Sequence, residues 1–314
     1  MDDVNRLVIV YSPKSTRARQ YTKVRADLQH QADIKGWTIN EIEITDLPYY
    51  QAVKKIAANI RDGDLVLAAG GDGIAQTTFQ AIYTSKRSSI FATVPLGNAN
   101  DISRAINGRH RSAELILRQP VTDFYPLNVV IDGGIAISLI SYVTFGATTV
   151  LVDYLNRDNM RHRRRLLKNL SPAMSISAKD FNQISRQISD LNFPDFIRGG
   201  CTFTDDSIGF FLIPAAHNIL RLPKNIALAK SEFFFHYATT RDKNLMKKIV
   251  MAGAWTIKFP GEMTELEELK FINNNQNIIA NISGDNVDLG KIKQLSAIRS
   301  TRPVRILSST PTPS

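Results

Sequence analysis

Two glycine-bearing turns between Leu65 and Arg104 constrain this chain more than any other stretch. Leu65 to Ala69 is an apolar run without polar alternation, as in a strand buried on both faces. Gly70-Gly71-Asp72-Gly73 ends it, and Ala75, Thr78, Phe79 and Ile82 then recur at helical spacing. Strand, glycine turn and helix in that order make a phosphate-site geometry. The glycines let backbone approach a ligand, and the first helical turn directs N–H groups at an anion. A second strand, Ile90 to Val94, leads into Pro95-Leu96-Gly97, and Asn98-Ala99-Asn100-Asp101 opens another helix. Two such turns at neighbouring strand ends converge on one crevice. The expected phosphate holders are Gly70, Gly71, Gly73, Gly97 and Asn98, through backbone or amide donors, with Ile74, Ala75 and Gln76 of the first helical turn as further nucleotide contacts. Asp72 and Asp101 would face the same phosphates. Paired carboxylates beside a polyphosphate imply Mg2+ between them, since this ion takes one or two carboxylates together with phosphate oxygens.

The flanking sequence sets this stretch in an α/β domain. Leu7 to Tyr11 is a short strand, Ser12 to Thr16 a turn, and Ala18, Tyr21, Val24, Leu28 and Ala32 follow with helical period. Thr38 to Ile44 alternates and ends at Thr45-Asp46; Tyr49, Val53, Ile56 and Ile60 give the next helix its buried face. Alternating strands and helices through Ile106 predict a parallel sheet with crossover helices. After Pro120 the pattern becomes β-rich, with runs over Thr122–Ile131 and Ile135–Phe145 joined by Asp132-Gly133-Gly134. Strands are also expected over Ile208–Ala215, Asn225–Ala229, Phe233–Thr239, Leu269–Ile272, Asn277–Ser283, Ile292–Ile298 and Val304–Leu307, with a helix or connection over Arg241–Ala254. The predicted organisation is an α/β nucleotide-binding domain over residues 1–121 and a mostly antiparallel β-sandwich domain over 122–300. A helical basic insertion near 148–188 interrupts the second, and a strand and tail over 301–314 are free to return to the first.

Charge and cysteine content narrow the class. The net charge of +10 points to an anionic partner surface. Arg157, Arg161, His162, Arg163, Arg164, Arg165 and Lys168 cluster among leucines, either a solvated face or a basic amphipathic surface for anionic lipid. The lone Cys201 excludes an internal disulfide framework, and the acidic start MDDVNRL lacks the basic region of a signal peptide. A cytoplasmic chain that meets membranes peripherally is the expectation. The five histidines have no zinc-site spacing.

The pairing of GGDGI with PLGNAND resembles the diacylglycerol kinase catalytic domain family, whose members include bacterial diacylglycerol kinases and sphingosine and ceramide kinases. The usual patterns there are GGDGT and PLGTGND or PLGTAND, so Ile74 and Asn98 replace two threonines. NAD kinases and phosphofructokinases share GGDG but not the second motif. The family's NPxSG turn is matched at Pro13 and Ser15, while Ser12 replaces its asparagine; Lys14 in this turn is a nucleotide contact or a solvated charge. The resemblance makes Thr45 a nucleotide contact, against the alternative of a helix cap. It also makes Asp123 a third member of a Mg2+ network with Asp72 and Asp101. The family's catalytic base is the glutamate of a VDGE turn, and Ile282-Ser283-Gly284-Asp285 stands in that place, so Asp285 becomes the candidate base with Asp288 as a weaker one. A simple Gly-Asp-Asn hairpin is the competing reading.

These implications define an ATP- and Mg2+-dependent lipid kinase that phosphorylates diacylglycerol or a similar lipid alcohol, with Asp72 and Asp285 as catalytic residues. The expected partners are the lipid substrate and an anionic membrane surface, not nucleic acid, with a homodimer left open. The departures at Ile74, Asn98, Ser283 and Asp285 motivate an alternative, a degenerate relative that binds nucleotide or lipid without transfer.

Overall fold

The computed structural model describes residues 3–15, 17–97, 100–108, 112–146, 149–150, 153, 182–183, 186, 196–198, 201–203, 207–214, 233–239, 262–266, 268–272 and 277–309. The chain begins with β1 (Arg6–Tyr11), α1 (Tyr21–Lys35), β2 (Thr38–Glu43), α2 (Tyr49–Ala58), β3 (Leu65–Gly70), α3 (Asp72–Ser85), β4 (Ile90–Pro95), α4 (Asp101–Asn107), α5 (Ala113–Leu117) and β5 (Val121–Phe124). It continues through β6 (Leu127–Ile131), β7 (Gly134–Leu139), β8 (Val143–Gly146), β9 (Phe196–Arg198), β10 (Cys201–Phe203), β11 (Ser207–Pro214) and β12 (Phe233–Thr239). The last elements are β13 (Glu262–Leu266), β14 (Glu268–Ile272), β15 (Asn277–Ile282), β16 (Asp285–Lys291), β17 (Gln294–Arg299) and β18 (Val304–Leu307).

The first sheet has the order β2-β1-β3-β4-β18-β5, and its pairs are parallel except β18 with β5. Its central strands are apolar on both faces because helices cover both. On one face Val8, Val10, Val66 and Phe91 pack with Val53 and Ile56 of α2, Phe79 and Ile82 of α3, and Ile102 and Ile106 of α4. On the other, Leu7, Ile9, Leu67 and Ala92 pack with Leu28 and Ala32 of α1 and Ile116 and Leu117 of α5. Phe79 anchors the first layer, its ring edge-on to Phe91 and Phe124 at 5.6 and 5.5 Å. The remaining strands form two antiparallel sheets, β10-β9-β14-β17-β6-β7 and β13-β12-β11-β8-β15-β16.

Two β runs that the sequence presents as continuous are broken. The stretch 122–131 divides at Tyr125-Pro126: β5 belongs to the first sheet and β6 to the second, so Thr122 and Asp123 lie with the parallel strands. Proline cannot donate to a ladder, which makes this a natural place to leave one sheet for another. The stretch 135–145 divides at residues 140–142, where the chain passes from the second sheet to the third. The readings over Arg157–Lys168, Asn225–Ala229 and Arg241–Ala254 lie outside the described residues, as does nearly all of 148–188.

Helix α3 serves both parts of the molecule. Its apolar face fills the parallel-sheet core, and its polar face carries a buried seam to the second sheet. Gln76 Nε2 donates to the Ser138 carbonyl at 2.9 Å, and Ile140 N–H donates to Gln76 Oε1 at 3.1 Å. Ser138 N–H donates to Gln80 Oε1, Ser138 Oγ donates to Asn128 Oδ1 at 2.8 Å, and Asn128 Nδ2 donates to Tyr83 Oη at 3.1 Å. Mutually satisfied buried polar groups of this kind fix one arrangement and penalise others.

Candidate active site

The parallel register puts the ends of four strands on one rim. Tyr11 is level with Glu43 and Ala69, and Gly70 is level with Pro95. The loops after these strands therefore share the carboxyl edge of the sheet, where open α/β folds bind ligands. The two glycine turns touch. Leu96 N–H donates to the Gly70 carbonyl at 2.9 Å, and a Cβ added at Gly71 would lie 3.2 Å from the Gly97 Cα. A Cβ at Gly97 would overlap the Gly71 Cα and come within 3.1 Å of its nitrogen. Only a pair of glycines permits this approach of backbone to backbone. Asn100 holds the second turn in shape: Gly97 N–H donates to its Oδ1 at 2.8 Å and its Nδ2 donates to the Gly97 carbonyl at 2.7 Å. Its φ of 53° lies in the left-handed region that asparagine tolerates better than most residues.

Asp72 opens α3 and reaches across to α4. Its Oδ1 accepts the Ile102 N–H at 2.9 Å, so the carboxylate caps the amino end of the neighbouring helix. Burial pushes its pKa above the usual aspartate value, against the opposing pull of the Ile102, Asp101 and Asn100 backbone amides and the Arg104 charge. Asp101 is buried and ion-paired with Arg104. The two aspartates of the glycine turns are thus brought together, each already engaged by helix amides or a guanidinium.

Asp285 arrives from the other part of the chain. Ser283 and Gly284, at φ 51° and 103°, form a two-residue hairpin turn between β15 and β16, and Asp285 is the first residue after it. A Cβ at Gly73 would overlap Asp285 Oδ2, so this carboxylate lies directly against the backbone of the first glycine turn. The residues thus form the expected hairpin and at the same time set the Asp285 carboxylate against the first glycine turn. Asp288 is exposed, three residues further along β16.

Tyr142 ties these groups together, and the sequence reading missed it. Burial, followed by the negative charges of Asp72, Asp101 and Asp285, pushes its phenol above the usual tyrosine value. Three carboxylates thus act on one ring from the 140–142 bend. The available signal was a tyrosine inside an apparently continuous strand, and only the break in that strand gives it this place. Tyr49 at the start of α2 is a second such residue, its phenol raised chiefly by burial, with Asp285 also contributing.

The other expected site residues fall in three groups. Thr45 and Lys14 lie on the rim: Thr45 Oγ1 is 3.2 Å from Ser12 Oγ, and Lys14 Nζ pairs with Asp46 at 2.6 Å. The Arg17 N–H donates to the Leu96 carbonyl at 3.0 Å, which joins this loop to the second glycine turn. Asn98 lies outside the described residues. Gln76, Ala75 and Asp123 do not stand as nucleotide or metal contacts at the glycine turns. Gln76 is fully buried with both ends of its amide engaged by Ser138 and Ile140, so it is an inter-sheet residue. Ala75 is a core residue whose N–H donates to the Gly71 carbonyl at 3.0 Å. The side chain of Ile74 packs over Gly70, leaving only its backbone near the turn. Asp123 is level with Arg305, and Arg305 with Ile90, at the opposite end of the strands from Pro95. Five residues of strand amount to roughly 16 Å, too far for Asp123 to join Asp72 and Asp101 around one ion.

Among the described residues, no three His, Cys, Asp or Glu side chains lie close enough to form a metal site. Two carboxylates at a glycine turn still fit Mg2+, which takes most of its ligands from water and phosphate when bound with a nucleotide.

Residues 6–123 match the family model described as the diacylglycerol kinase catalytic domain. No curated protein matches the chain at significant similarity. Among solved structures, a diacylglycerol kinase from Bacillus anthracis str. Sterne aligns with a TM-score of 0.63 at 12% identity, covering 97% of each chain. A second protein of that strain, described as a proposed diacylglycerol kinase, aligns with a TM-score of 0.65 at 12% identity, again covering 97% of each. These likenesses show a common fold over nearly the whole length. Over residues 6–123 the chain is thus similar to the diacylglycerol kinase catalytic domain family, and over nearly its whole length it shares the fold of these two proteins.

Proposed function

We propose that this protein is an ATP- and Mg2+-dependent lipid kinase that phosphorylates the hydroxyl of diacylglycerol or a similar lipid alcohol. The observation that carries the reading is the Asp285 carboxylate against Gly73, a base from one part of the chain at the phosphate turn of the other. Backbone amides of Gly71 and Gly73 would receive the phosphates, with the Gly97 N–H already given to Asn100 Oδ1, and Asp72 and Asp101 would hold Mg2+. Bound Mg-ATP would supply the γ-phosphoryl group, its Mg2+ neutralising the charge that develops there. Asp285 takes the proton of the acceptor hydroxyl as that oxygen bonds to phosphorus and the bond to the departing ADP oxygen breaks. Tyr142, kept protonated by burial and then by its carboxylate neighbours, would offer a donor beside this exchange. The net charge of +10 supports a peripheral encounter with anionic membrane, and no helix among the described residues is long and apolar enough to cross one.

The test is phosphate transfer from labelled ATP to a panel of diacylglycerol, ceramide and sphingosine in mixed micelles. Transfer to diacylglycerol that falls about a hundredfold or more in Asp285→Asn supports the reading, in line with the contribution of a general base. No transfer to any of these alcohols, with ATP still bound, establishes the non-catalytic alternative. The pairing of Asp101 with Arg104 is the observation that keeps that alternative in view, because a metal must compete with a guanidinium for this carboxylate.

A further inference from the structure

A second polar cleft, of about 240 Å3, lies where α3 ends against the crossover from β17 to β18. Tyr83, Lys86, Ser89, Asp123, Arg302 and Arg305 are among the residues lining it. It is far from the glycine turns, because Arg305 is level with the first residue of β4 and the turns follow its last. Its arginines are held in place. Arg302 donates to the Tyr83 carbonyl and stacks over the Tyr83 ring with its guanidinium carbon 3.9 Å from the centroid. Arg305 Nη2 donates to the Ser88 carbonyl at 3.2 Å and to Ser88 Oγ at 3.1 Å. Among the described residues, neither arginine nor Lys86 has a carboxylate within ion-pair distance, whereas Arg87 on the same rim pairs with Asp62 at 3.2 Å. Ser89 adds an independent sign: it is 3% exposed, lines the cleft, and its hydroxyl has no hydrogen-bond partner. Buried hydroxyls are nearly always satisfied, so an unpartnered one on a cationic wall indicates a missing acceptor.

We propose that this cleft binds a dianionic phosphate group through Lys86, Arg302, Arg305 and the Ser89 hydroxyl. The volume is below that of pockets for drug-sized ligands and suits a small anion. Guanidinium forks already fixed by other bonds recognise phosphate with little further ordering. The cleft also spans a joint. Ser300 Oγ meets Tyr83 Oη at 2.9 Å and Tyr83 accepts from Asn128, so an anion clamping Arg302 and Arg305 to α3 tightens the crossover between the antiparallel and parallel sheets. A phosphate there acts on how the two parts are held.

The test uses the full chain. Inorganic phosphate is titrated against chloride at matched ionic strength, with binding read by calorimetry and thermal midpoint. The expected result is a phosphate-specific rise in midpoint, by linkage, and at least tenfold weaker binding in Lys86→Gln/Arg305→Gln. The single Lys86→Gln variant guards against a folding artefact, since Lys86 is exposed at a helix end. Flotation with phosphatidate or phosphatidylcholine vesicles separates the sources: retention on phosphatidate alone, lost in the same variants, assigns the phosphate to a lipid headgroup. Equal phosphate binding by parent and variants places the anion elsewhere and overturns the proposal. So does the absence of both a phosphate-specific response and phosphatidate retention.

Discussion

Asp72 is asked to do two things that pull its proton affinity in opposite directions. Capping α4 favours the carboxylate, burial disfavours it, and burial wins. An acid whose folded pKa is raised contributes stability that is complete below its ordinary value and lost as pH rises through the folded value. At neutral pH the charged side chain therefore lowers stability relative to a neutral one of the same shape. Asp72→Asn keeps an acceptor for the Ile102 N–H and removes the charge. Its thermal midpoint should match or exceed that of the parent at pH 7, with an advantage that widens as pH climbs out of the aspartate range. Kinase activity should meanwhile fall by about a hundredfold or more, as when a group stabilising transition-state charge is removed. Midpoints across pH, set beside activity, check both; a variant that is destabilised at neutral pH and gains stability only in acid refutes the sign. The convergence of Asp72 with Asp101 was legible in the sequence because each follows a glycine turn at a strand end. Asp123, Ala75 and Gln76 were misplaced for lack of register: which end of a sheet a strand residue occupies, and which face of α3 a residue presents, depends on partners distant in the chain.

At the level of elements, the two glycine turns differ in what stands opposite them, and this separates stability from activity. Gly97 faces backbone, the Cα and nitrogen of Gly71. Backbone cannot swing aside, so Gly97→Ala must push β3 and β4 apart at their ends, at about 1–3 kcal/mol, the usual range for overpacking. Gly73 faces the Asp285 carboxylate, a side chain that can turn away. Gly73→Ala should leave the midpoint close to that of the parent and remove most of the activity by displacing Asp285 from the first glycine turn. Chemical denaturation and transfer assays on the pair give the contrast; equal loss of stability in both variants would refute it. The parallel strands were readable from apolar runs and glycine stops, since strands buried on both faces carry no other pattern. The breaks at 125–126 and 140–142 were not. A strand that leaves one sheet for another keeps its β composition throughout, and only the pairing changes.

The whole molecule is threaded so that its last described strand completes its first sheet. β18 lies between β4 and β5, bonded to both, although about 180 residues of chain separate it from β5. The matched stretch 6–123 therefore lacks an interior strand of its own sheet. Val304, Ile306 and Leu307 are buried there, and at about 1.5–3 kcal/mol for each such side chain their loss approaches the entire stability of an ordinary domain. The ladder bonds to β4 and β5 would go with them, and β5 with Phe124 would lose its attachment to the sheet. A chain ending at Arg299 should consequently lose the cooperative unfolding transition of the parallel-sheet part as well as kinase activity, despite retaining both glycine turns and Asp285. Circular dichroism melting and native-state proteolysis of 1–299 against the full chain decide this. Adding a peptide of residues 300–309 should restore protection to β4 and β5 if the strand is what the sheet lacks. A truncated chain that melts cooperatively near the parental midpoint would mean that the sheet closes without its carboxyl-terminal strand, and that the catalytic stretch folds as an independent unit.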